Sequence, residues 1–63
     1  MKTLRQVRDR YTEIRGLPRH GWQVRLVVDH QSFTVYDGGN RQSARWFRRM
    51  LAIALHRMLS RHA

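Results

Sequence analysis

The sequence predicts an α+β domain in which an antiparallel β-hairpin is covered on one face by a single long C-terminal helix. Two patterns predict it. Residues 22–36 alternate apolar and polar side chains with a period of two, and residues 44–58 repeat apolar side chains at spacings of three and four. With 63 residues the chain forms one domain, and a domain this short buries only about 60% of its unfolded surface. Dimerisation or ligand binding often adds stability at this size.

Residues 1–10 read as an N-terminal arm or short helix, and residues 11–63 as the domain proper. Leu4, Val7, Tyr11 and Ile14 recur at helical spacing, with Gly16 and Pro18 as a stop. The stretch from Tyr11 to Leu17 reads equally as a first strand, and the two readings combine as a helix or arm over 2–10 followed by a strand over 12–17. Pro18 cannot donate to a ladder, which suits the end of that strand.

In the hairpin, Trp22, Val24, Leu26 and Val28 share one face, and Gln23, Arg25 and Val27 the other. Asp29-His30-Gln31 connects the strands, and Ser32–Tyr36 resumes the alternation, with Phe33 and Val35 expected on the apolar face and Thr34 and Tyr36 opposite. Asp37-Gly38-Gly39-Asn40 breaks the strand.

The helix that follows has Asn40 or Ser43 as candidate N-cap. Ala44, Phe47, Leu51, Ala54, Leu55 and Met58 form the stripe that covers the hairpin. A narrower stripe on roughly the opposite side holds Trp46, Met50 and Ile53. It is expected to meet either the N-terminal arm or a second copy of the chain, as a homodimer contact.

Composition indicates the partner. Twelve Arg and one Lys oppose four acids, for a net charge of +9. Self-repulsion of that size opposes compaction and is relieved by a polyanion. The planar guanidinium fork also suits phosphate and the guanine edge. The side of the sheet away from the helix is therefore expected to bind nucleic acid through Arg15, Arg19, Gln23, Arg25, Thr34 and Tyr36, while Arg45 and Arg49 reach phosphates from the helix.

Other classes find little support. The absence of Cys excludes disulfides and thiolate metal sites and suits a reducing cytoplasm. No apolar run reaches the roughly 18 residues of a membrane span, and Met1–Gln6 lacks the apolar core of a signal peptide. His20, His30, His56 and His62 show no metal-binding spacing, and Gly38-Gly39 lacks the Lys and Ser/Thr of a phosphate loop. The expectation is a non-catalytic, cofactor-free and metal-free protein of the cytoplasm, associated with the nucleoid and not with membranes.

The segment from Tyr11 to Ala54 resembles the ethylene-response-factor (Apetala-type) DNA-binding domain, in particular its bacterial and phage versions related to integrase amino-terminal domains. The resemblance is carried by Ile14-Arg15-Gly16-Leu17, Gly21-Trp22-Gln23-Val24-Arg25-Leu26, Phe33, Tyr36-Asp37-Gly38-Gly39, and a helix opening with Ser43-Ala44 and carrying Ala52 and Ala54. It implies a three-stranded antiparallel sheet packed on one helix (βββα), with the sheet in the major groove of double-stranded DNA. It would place Arg15, Arg19, Gln23 and Arg25 toward the groove, with Thr34 and Tyr36 on the third strand. By analogy, the role is that of a phage or mobile-element regulator or recombination accessory. The helix here is bulkier than the family's Ala-rich one, through Trp46, Phe47 and Met50, which favours a dimer.

Two other readings compete. A HicA-like RNA-cleaving toxin shares the helix–strands–helix order and uses one catalytic His; His20-Gly21-Trp22 and His30 fit it, but its Gly-Ser-His strand motif is missing. The third is a dimeric module that presents its basic surface to an acidic protein.

Overall fold

Thr3 starts the first helix, α1 (Leu4–Tyr11), in the computed structural model, which describes residues 2–61. The Thr3 hydroxyl accepts from the Gln6 amide at 3.2 Å, and the Gln6 side chain accepts from the Thr3 amide at 2.8 Å. This reciprocal cap satisfies two amides that an isolated helix end leaves open. Eight residues are too few for a helix to persist alone, so α1 depends on burying Val7.

Thr12 ends α1 in an extended conformation and opens β1 (Thr12–Leu17) without a linker. β2 (Gly21–Val28) and β3 (Gln31–Gly38) complete a three-stranded antiparallel sheet in the order β1-β2-β3, and α2 (Arg41–Arg61) follows. The βββα order with a short N-terminal helix is the fold class expected. Leu4–Tyr11 is helix and Thr12–Leu17 is strand, so both readings of the N-terminal stretch hold in part.

Both hairpin turns use left-handed backbone without glycine at their centres. Leu17-Pro18-Arg19-His20 is a β-turn closed by the His20 amide on the Leu17 carbonyl at 3.1 Å, with Pro18 leading and Arg19 at φ 66°. The β2–β3 turn is only Asp29-His30, at φ 51° and 66°, the signature of a type I′ turn. Gln31, expected in this connector, instead pairs with Val28. Gly21, at φ 85°, has no room for a side chain, because a Cβ there would lie 2.5 Å from the Gly38 carbonyl oxygen.

A β-bulge changes which face β3 presents. Leu26 pairs with Phe33 and Arg25 with Thr34, but Val24 pairs with Tyr36, which leaves Val35 as the extra residue. Val24 is fully buried, so Tyr36 faces the helix and stacks on Phe47 at 5.1 Å between ring centroids. The expected place of Tyr36 on the open face is corrected accordingly. β3 also runs two residues beyond the expected strand end at Tyr36, through Gly38.

Asn40 is the helix cap, accepting from the Gln42 and Ser43 amides at 2.8 and 3.3 Å. α2 buries Ala44 and Ala52 completely and half-buries Phe47, Leu51 and Leu55; Ala54 and Met58 of the expected stripe are exposed. Arg48 stands between Ala44 and Ala52 and ties α2 to the α1–β1 junction. Its Nε donates to the Thr12 hydroxyl at 2.8 Å and its Nη2 to the Thr12 carbonyl at 3.1 Å, with Asp9 at 3.9 Å. The Thr12 hydroxyl donates onward to the Arg8 carbonyl, so this 1%-exposed polar residue is fully satisfied. At the other end of α1, the His56 ring lies 3.1 Å from the Lys2 carbonyl. Together these contacts run α1 antiparallel to α2 along one flank.

Candidate nucleic-acid interface

Strand register fixes what the open face of the sheet presents. Arg25 lies between Glu13 of β1 and Thr34 of β3, and Gln23 between Arg15 of β1 and Asp37 of β3. Two cations thus share this face with two acids. Of the residues expected to bind DNA there, Arg15, Gln23, Arg25 and Thr34 stand on it. Arg19 sits in the β1–β2 turn instead, and Tyr36 is packed beneath the sheet against Phe47. Arg25 is partly enclosed, and its Nε is buried with no hydrogen-bond partner among the described residues.

The other side of the molecule has a different character. α1 and the N-terminal half of α2 form the walls of an open groove of about 1370 Å³, with Ile14 and Trp22 of the sheet at its base. Arg5 and Arg8 line one wall, and Arg41, Arg45, Arg48, Arg49 and Trp46 the other; among the described residues, no acidic one lines it. Arg41, Arg45 and Arg49 follow one another at four-residue intervals, a row of cations roughly 6 Å apart along the helix axis.

Two of these arginines are engaged internally: Arg48 with Thr12, and Arg8 with Asp9 at 3.1 Å. Burial lowers the pKa of Arg48 from its ordinary value; Arg8 adds to the shift, and Asp9 and Glu13 oppose it. Arg5, Arg45 and Arg49 have no carboxylate within reach among the described residues, and Arg41 lies 5.3 Å from the centre of the Trp22 ring.

Lys2 and the two helices hold ten of the thirteen cations and one of the four acids. Residues 12–38 hold three of each, so the sheet and its turns are neutral overall and the helical side carries the entire +9. Sequence reasoning identified Arg45 and Arg49 but missed Arg5, Arg8, Arg41 and Trp22 as parts of one site. Summing charge over the N-terminal segment and the final helix would have indicated the helical side. The groove itself is tertiary, made by the docking of α1.

The stripe expected to meet a second copy divides. Trp46 is 64% and Met50 45% exposed, whereas Ile53 is half-buried. α1 docks along Arg48 and His56, leaving Trp46 and Met50 uncovered. His20 and His30 lie exposed in the two turns, and His62 falls outside the described residues. Among the described residues, no group of three or more His, Asp or Glu could hold a metal ion, and no helix is long and apolar enough to cross a membrane.

Comparison with known proteins finds no matching family model, no similar curated protein and no similar solved structure.

Proposed function

We propose that this protein binds nucleic acid, and that it does so with the arginine-lined groove between its helices. The observation that carries the reading is the segregation of charge. A polyanion approaching the sheet meets as many acids as cations, whereas the groove is lined by cations, and the one acid of the helices, Asp9, is held by Arg8 and Arg48. The groove also exceeds the roughly 300–1,000 Å³ of small-molecule pockets and is open, which suits a polymer better than a metabolite. The proposal extends to a nucleoid-associated, cytoplasmic location; a regulatory or recombination-accessory role in a phage or mobile element enters it only by analogy with the Apetala-type resemblance.

A second mode keeps double-stranded DNA against the open sheet face, as the resemblance to the Apetala-type domain implies. Arg15, Gln23 and Arg25, brought onto that face together by the strand register, favour it. It would confine base contacts to a surface that supplies no net charge.

Salt titration tests the main reading. Four groove arginines that lack a carboxylate partner neutralise about four phosphates, so log K falls against log salt with a slope of about −3 to −4. Absence of binding to any nucleic acid at about 50 mM salt would refute it.

A further inference from the structure

We infer that the groove takes an unpaired strand, with the exposed ring of Trp46 as the platform on which a base stacks. The inference rests on the nucleic-acid reading above and names which form of nucleic acid the groove fits. Trp46 shares its wall with Arg45 and Arg49, and Trp22 lies at its base. A cationic track interleaved with aromatic rings is the arrangement by which single strands are held, phosphates on guanidinium and bases on π faces.

The two rings are presented differently. Trp22 is fixed: its ring lies across Gly16, where an added Cβ would come within 3.0–3.3 Å of three ring atoms, and Arg41 sits 5.3 Å from its centre. Trp46 is 64% exposed, with no ring or cation contact among the described residues. A ring left this open is available to a flat ligand.

Each rival occupant meets an obstacle. A duplex offers the groove only its sugar–phosphate edge, since its bases are stacked inside, so Trp46 would face phosphates and gain nothing. A second copy of this chain brings its own +9 against Arg45 and Arg49. An acidic peptide satisfies the arginines but has no reason to carry aromatic planes. An unpaired strand alone satisfies both the arginines and the ring.

The test uses the full chain, a labelled 12-nucleotide oligothymidylate, an oligouridylate of the same length, a 12-base-pair duplex and oligoglutamate, all at about 50 mM salt. The single strands bind at least tenfold more tightly than the duplex, and comparison of the two separates DNA from RNA. Trp46→Ala weakens single-strand binding about ten- to a hundredfold while changing duplex affinity less than about twofold. Its salt slope stays that of the wild type, because no charge is removed. Trp46→Phe restores most of the affinity. Circular dichroism establishes that the variants fold, as the exposure of Trp46 leads us to expect. Duplex binding equal to that of the single strands, or equal losses on both with Trp46→Ala, overturns the inference and leaves the nucleic-acid reading standing. Preference for oligoglutamate overturns both.

Discussion

Alanine at Arg41, Arg45 and Arg49 together weakens nucleic-acid binding about a hundredfold or more, whereas alanine at Arg15, Arg19 and Arg25 changes it only severalfold. Both triples remove three charges from the net +9, so a difference between them measures position and not total charge. At about 1 kcal/mol for each phosphate contact, three contacts amount to roughly two orders of magnitude in affinity. The salt slope should fall by about one for each arginine lost from the groove. Filter binding or fluorescence anisotropy at two salt concentrations reads both quantities.

The same helix triple should stabilise the fold. Arg41, Arg45 and Arg49 are exposed and stand at successive i, i+4 positions, where like charges repel. Alanine removes both repulsive pairs and raises helix propensity at three positions, which outweighs the single Arg41–Trp22 contact given up. A rise of a few degrees in Tm is expected for a domain this small. Loss of binding with a gain in stability would identify residues kept for a ligand at the expense of the fold.

The second large effect falls on stability. Arg48→Met keeps the apolar stem but removes the donors to the Thr12 hydroxyl and carbonyl. Thr12 is almost completely buried, so water cannot replace them, and the cost is about 2–3 kcal/mol. A domain of this length has only roughly 3–9 kcal/mol in total, so the variant approaches unfolding. Adding Thr12→Val recovers part of the loss, because one stranded polar group is removed with its partner. A double-mutant cycle by urea denaturation measures that coupling; additive effects would show that the Arg48–Thr12 contact carries no energy.

How far each of these features could be read from sequence depended on how local its cause is. The alternation of residues 22–28 reported a strand with one buried face, and the caps at Thr3 and Asn40 are side-chain chemistry within three residues of the helix starts. The bulge at Val35 left no such mark. Phe33, Val35 and Tyr36 are all apolar or aromatic, so the pattern continued either way, and the choice was made by pairing with Val24 and stacking on Phe47, eleven residues further on. Arg48 resembled a solvated flank because it lies among other arginines. Its spacing of four from both Ala44 and Ala52, two small residues that admit close approach, was the available signal for a buried position.

The candidate site was legible in its chemistry and not in its location. The count of arginines indicated a polyanion, and the alternation in residues 22–36 drew attention to the open sheet face. That face is neutral because Glu13 and Asp37 are brought beside Arg25 and Gln23 by register. The concentrated charge arises where α1, connected through β1, returns along α2 and sets Arg5 and Arg8 opposite Arg41, Arg45 and Arg49. No window of the sequence contains both walls.

Amide chemical-shift mapping with a short single strand tests most directly whether nucleic acid meets the helical side. Perturbations concentrated on residues 4–8 and 41–49, together with the Trp22 and Trp46 indole signals, are the expected result. Perturbations concentrated on residues 13–15, 23–25 and 34–37, with the helices unmoved, would contradict it.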